Sequence, residues 1–233
     1  MVEAAGGPDA PLLVRLAAGI SRAVLSSVAR VRLDVPGDVP RTGPLIVVAN
    51  HLSNADPPLV VGWLTPLLGR RMHILAKDSL FVGPLGSLLR SQGATPVRSG
   101  GSDMEAFRSA RGVLERGDVL CIFPEGTRSR TGRLQPAKPG VAMLATRADV
   151  LILPVGISGS DRFLPPAARL PRFGATITLR VGPPFRLSLA RDMTRRQALL
   201  AASDEIMRRL AGLIAAENRG DFEPLPDSES HTA

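Results

Sequence analysis

Tyrosine is absent from this chain of 233 residues, and the remaining aromatics are seven phenylalanines and one tryptophan. A surface that stacks nucleic-acid bases needs more rings, and the basic residues are scattered, so no nucleic-acid partner is expected. Cysteine occurs once, at Cys121, which excludes an internal disulfide framework and says little about compartment. Histidine occurs three times, at His51, His73 and His231, and no closely spaced His/Cys/Glu set stands out, so no metal site is expected. There is no G-x-S-x-G elbow to present a serine nucleophile. No uncharged run approaches the ~20 apolar residues of a membrane span. No internal repeat is visible.

Lysine is almost absent too. Only Lys77 and Lys138 occur among 29 basic residues, the rest being arginines, and the net charge is +8. Arginine's planar fork suits phosphate and carboxylate groups, although a genome rich in arginine codons explains most of them equally well. Such a charge allows an anionic membrane or an acidic protein as partner. The 23 glycines and 21 prolines fall between apolar segments, as turns do in a compact fold.

From Pro11 to Val35 the chain is rich in Leu, Val, Ala and Ile, interrupted by Arg15, Arg22 and Arg30. At about 100° per residue, Arg15 and Arg22 nearly superimpose and Arg30 lies within a quarter-turn. A cationic stripe on an apolar helix suits the membrane interface, and a helix packed on the domain's own core suits the same pattern. The charges sit inside the apolar region, which argues against a signal peptide.

Strands and helices then alternate. Strands are expected at Leu45–Ala49, His73–Ala76, Ala94–Val97, Asp118–Phe123, Val150–Ile157 and Ala175–Val181. A helix is expected at Pro57–Leu68, broken near Pro66, and a second apolar stretch runs over Leu80–Leu89. Another helix opens on a Ser102/Glu105 capping box, a short one runs over Gly140–Arg147, and a long one opens on Thr194 and Gln197. The alternation implies an α/β fold: a single domain with a mixed or largely parallel sheet flanked by helices, preceded by an N-terminal amphipathic helical segment. The divisions are 1–40 for that membrane-associating segment, 41–219 for the domain, and 220–233 for a polar, disordered tail.

Two stretches carry chemistry. In P-L-I-V-V-A-N-H-L-S-N-A-D-P-P, His51 follows a buried strand and Asp56 comes five residues later, before two prolines. In an unbroken helix the two would face about 140° apart, but the loop-like segment between them allows a turn that returns the carboxylate to the imidazole. Asp56 would then orient the ring. Taken alone, the pair reads more simply as a helix cap and a polar loop residue. The second stretch, F-P-E-G-T-R-S-R, also follows a strand and offers Glu125, Gly126, Thr127, Arg128 and Arg130. Arginine can hold a phosphate there bidentately, and an ordinary loop with solvated charges is the plain alternative.

N-H-L-S-N-A-D resembles the first signature block of the glycerolipid acyltransferases, the family of 1-acylglycerol-3-phosphate acyltransferases. F-P-E-G-T-R-S resembles their third block at a fitting separation, and I-L-P-V-G-I at 152–157 resembles the fourth. The resemblance implies that His51 is a general base, supported by Asp56, which deprotonates an acceptor hydroxyl for direct attack on an acyl thioester. It implies that Glu125, Gly126, Thr127 and Arg128 bind the acceptor's glycerol and phosphate, and that Pro154 lies on the acyl-donor side. One block departs: G-A-T-P-V-R-S puts Ser99 where the family's second block has arginine, with Arg98 one place early. Neighbouring strand residues face opposite ways, so either a loosened backbone brings Arg98 to the phosphate or that contact is lost.

The function implied is transfer of a fatty acyl group to lysophosphatidic acid, giving phosphatidic acid for phospholipid biosynthesis. Its implied partners are a lysophospholipid acceptor, a membrane surface, and acyl-CoA or acyl carrier protein as co-substrate. No cofactor is expected. The implied location is peripheral, monotopic on the cytoplasmic face of the membrane. Another lysophospholipid or glycerol-3-phosphate as acceptor, a thioesterase or lipid hydrolase using the same histidine, and a non-catalytic lipid-binding protein are the alternatives.

Overall fold

Side-chain size along the first helix decides what it packs against. In the computed structural model, α1 (Leu12–Val28) buries Val14, Ala17, Ala18 and Ser21 on one face. Small residues allow close approach, and α1 meets α2 (Asp56–Leu68) where a Cβ on Gly62 would lie 3.3 Å from the Arg22 nitrogen. The structure describes residues 10–78, 81–83, 86, 90, 94–97, 103–148, 150–166, 168, 170–190 and 192–225. Most of the stretch 80–89, Arg98, Ser99 and Ser102 fall outside these residues.

The stretch read as one helix over 11–35 divides in two. Beyond Val28 the residues alternate apolar and polar, which is the period of a strand. They form β1 (Ala29–Asp34), which pairs in parallel with β7 (Ala175–Val181) at one edge of the sheet. The division drawn at residue 40 therefore cuts off a strand that belongs to the domain.

β2 (Leu45–Ala49) occupies the centre, and all five of its residues are buried. A strand covered on both faces needs no polar alternation. Leu45, Val47 and Ala49 join the core beneath α1 and α2, while Ile46 and Val48 join the core on the other face. The second core is closed by α3 (Asp103–Glu115), α4 (Gly140–Ala148) and α6 (Arg195–Ala211). The remaining elements are β3 (Met72–Lys77), β4 (Ala94–Val97), β5 (Val119–Ile122), β6 (Leu151–Ser158) and the short α5 (Ser160–Phe163).

The seven strands lie in the order β1-β7-β6-β2-β5-β3-β4, parallel except for the β6/β7 pair. The domain is thus α/β with a mostly parallel mixed sheet. β2 pairs with β5 on one side and β6 on the other, both in parallel, so all three end at one edge. Loops leaving that edge converge, as they do at binding sites of open α/β sheets.

Of three local expectations, two need adjustment and one holds. Pro66 does not break α2, which continues to Leu68 and ends on Gly69 at φ 67°. A proline in the last turn removes only one hydrogen bond, so the turn survives. Thr194 and Gln197 do form a capping box on α6. The tail is not loose from residue 220: the Phe222 nitrogen donates to the Arg219 carbonyl at 3.3 Å, and its ring packs on the second core. Residues 226–233 lie outside the described ones.

Candidate active site

At the end of β2 the backbone turns away from the sheet, and Asn50 covers the break. Its amide nitrogen donates to the Ile157 carbonyl at 2.9 Å, and the Ile157 nitrogen donates to Asn50 Oδ1 at 2.7 Å. A buried side chain thus supplies the ladder step that β2 no longer makes. His51 is the next residue.

The turn after His51 is built around Asp56, which is fully buried. Asp56 Oδ2 lies 2.8 Å from His51 Nδ1 and accepts the backbone N–H groups of Leu52 and Ser53, both at 2.6 Å. The Asp56 nitrogen donates to the Ser53 carbonyl at 3.2 Å, closing the turn. Asp56 opens α2 but does not cap it. Pro57 and Pro58 have no N–H to receive a cap, so the carboxylate turns back to the histidine instead. With Nδ1–H donating to Asp56, His51 Nε2 carries the lone pair that can take a proton. The ring stacks on Phe123, centroids 4.2 Å apart.

The loop from β5 runs beside this turn and fixes the histidine's main chain. The His51 nitrogen donates to Glu125 Oε1 at 2.8 Å, and the Ser129 nitrogen donates to the His51 carbonyl at 2.8 Å. Glu125 Oε2 accepts the Gln135 nitrogen at 3.1 Å. Burial pushes the Glu125 carboxyl up to about 7, against the lowering effect of its two backbone donors and with a smaller raising effect from Asp56. Glu125, implied by the resemblance to touch the acceptor, has both oxygens engaged within the protein, one on each flanking loop.

The other residues of the loop lie further out. Gly126 has φ 72° and lies under the Lys138 side chain. Thr127 and Arg130 are exposed. Arg128 is half-buried and donates through Nη1 to the Pro166 carbonyl at 3.2 Å. His73 lies elsewhere, near the start of β3 and 3.3 Å from Asp118. Cys121 is a core residue of β5, where burial pushes its thiol up to about 12, so it offers no thiolate. Among the described residues no group of three or more His, Cys, Asp or Glu could hold a metal ion.

The structure brings His51, Asp56 and Glu125 together, and beside them it sets Asn50, Phe123, Ser129 and Lys138, which sequence reasoning had not singled out for this place. Asn50 had a signal, a polar residue directly ending a buried apolar run. The others act through contacts distant in sequence.

Comparison with known proteins now decides the family. A model of the acyltransferase family matches residues 30–158, more than half of the chain and all of the site just described. The chain belongs to the acyltransferase family. It is 28% identical over 125 residues to a chloroplastic 1-acyl-sn-glycerol-3-phosphate acyltransferase of Brassica napus, covering 52% of this chain and 35% of that protein. It is 31% identical over 138 residues to the alpha 1-acyl-sn-glycerol-3-phosphate acyltransferase of Homo sapiens, covering 57% and 48%. The matched stretch thus spans between about a third and a half of these curated relatives. The fold is similar to that of the 1-acyl-sn-glycerophosphate acyltransferase PlsC from Thermotoga maritima, with a TM-score of 0.65 and 23% identity, covering 84% of this chain and 77% of that one. At that identity the likeness is one of fold.

Proposed function

We propose that this chain transfers a fatty acyl group from an acyl thioester to the free hydroxyl of lysophosphatidic acid, giving phosphatidic acid. The observation that carries the reading is the His51–Asp56 pair at 2.8 Å, with Asp56 buried and the opposite ring nitrogen left for substrate. His51 Nε2 takes the acceptor's hydroxyl proton while the oxygen attacks the thioester carbonyl. The C–O bond forms, the C–S bond breaks, and the imidazolium returns its proton to the departing thiolate. Asp56 stabilises the imidazolium between those steps. No enzyme nucleophile takes part, which agrees with the buried thiol of Cys121.

The donor is acyl-CoA or an acyl carrier protein, and no cofactor enters the balance. Arg128 lies one loop away from His51 and supplies charge for the acceptor phosphate. Arg98, in the departing second block, is proposed as a further contact. The acceptor and product are lipids, and no helix among the described residues is long and apolar enough to cross a membrane. The large apolar side chains Leu13, Leu16, Ile20 and Val24 that α1 turns to solvent support a peripheral placement at the membrane, on the cytoplasmic face that the acyl-thioester donor reaches.

The test is purified protein with acyl-CoA and a panel of lysolipids, following both esterified and free fatty acid. Phosphatidic acid should form from lysophosphatidic acid. His51→Ala should lower the rate by about 10³, within the range removed with a general base. Free fatty acid as the sole product supports a hydrolase and defeats the reading, as does near-normal turnover in the variant.

A further inference from the structure

One cation near the site lies outside the motif that first drew attention to it. The Lys138 nitrogen donates to the Pro124 carbonyl at 2.8 Å, and the Gln135 nitrogen donates to Glu125, so residues 135–138 run alongside 124–126. The lysine side chain then crosses Gly126. A Cβ built on that glycine would lie 2.6 Å from Lys138 Cε, 2.9 Å from Cδ and 3.1 Å from Nζ. Glycine at 126 therefore has two physical reasons: a left-handed φ of 72° and room for the lysine stem.

The ammonium is not neutralised where it lies. Lys138 is exposed, and among the described residues no carboxylate stands within ion-pair distance of it. Glu125, the acid adjacent to Gly126, is turned inward to His51 and Gln135. The ammonium lies over Gly126, next in sequence to the Glu125 that holds the His51 main chain and two residues before Arg128, so the loop carries two cations close together in sequence. A lysine acts there as a compact point charge and an arginine as a fork, which together suit a phosphate monoester.

We propose that Lys138 binds the phosphate of the acceptor, positioned for it by Gly126. The inference rests on the reading of this site as an acyl-acceptor site. It also supplies a cation from a different segment in a chain whose second block has Ser99 at the family's arginine position.

Lys138→Met keeps the stem over Gly126 and removes the charge. It is expected to raise KM for lysophosphatidic acid about tenfold, the loss of one charge-assisted contact. The KM for acyl-CoA, the kcat and the melting temperature should stay at wild-type values, and Lys138→Arg should recover most of the loss. A monoacylglycerol acceptor should be used equally by wild type and variant. An unchanged KM for lysophosphatidic acid overturns the proposal. So does a rise confined to acyl-CoA, which would assign the lysine to the donor's phosphates. Affinity for glycerol 3-phosphate against glycerol, followed by NMR titration, separates the two readings. Wild type that fails to acylate lysophosphatidic acid defeats the function above, while a weaker glycerol 3-phosphate affinity in Lys138→Met still upholds the lysine's role and an equal affinity ends it.

Discussion

At the scale of single residues, Glu125 does work that its place in a motif conceals. It bridges two loops by accepting His51 N–H on one oxygen and Gln135 N–H on the other. Burial raises its carboxyl from 4.5 to about 7. A folded-state value above the unfolded one means that the unfolded chain releases its proton first as pH rises. The contribution to stability is complete below about pH 4.5 and is lost as pH rises through about 7. Between pH 5 and 8 this amounts to on the order of 2 kcal/mol, or roughly 5 °C in melting temperature. Glu125→Gln cannot titrate, so its melting temperature should fall less over that range than the wild type's. Parallel slopes in the two proteins would show that Glu125 does not titrate there. His73 has the opposite sense, since burial lowers its value, and comparison of the two proteins cancels its effect.

At the scale of elements, the site depends on how β2 ends. The strand's apolar run was readable because a strand buried on both faces carries no polar residue to confuse the period. β5 and β6 were readable for the same reason and β7 for its alternation of apolar and polar residues, and the two prolines after Asp56 made a turn back to His51 legible. β1 was not, because Arg30 extends the arginine spacing of the preceding helix and hides a six-residue edge strand. Glu125's partners were not legible either, since its bond to His51 joins residues 74 apart. The Asn50 bridge to Ile157 spans 107 residues and belongs to the same class. Asn50→Ala would leave the Ile157 N–H and C=O buried without partners, at a cost of about 2–4 kcal/mol. Chemical denaturation should show that loss with an unchanged m-value. A loss well under 1 kcal/mol would mean that the strand end relaxes to find other partners.

At the scale of the whole molecule, α1 presents two apolar faces of different kinds. The inward one is narrow and small, burying Ala17 and Ala18, with the Ala18 backbone against Gly62. The outward one carries Leu13, Leu16, Ile20 and Val24, each more than half exposed, with Leu12 beside them. Large apolar side chains spaced along one helix face and turned to solvent, near arginines, suit an interface with anionic lipid. Removing residues 1–35 would not test this, because it would also remove β1 from the sheet and the small face from α2. Leu16→Glu combined with Ile20→Glu leaves both intact, since neither side chain is buried in the fold. The double variant should keep its melting temperature and lose about tenfold or more in co-sedimentation with vesicles containing anionic lipid, where two leucine-sized contacts become charges. Activity on acceptor presented in such vesicles should fall in parallel, while activity on acceptor dissolved below its aggregation limit should not. Undiminished co-sedimentation would show that α1's outward face is not what meets the membrane.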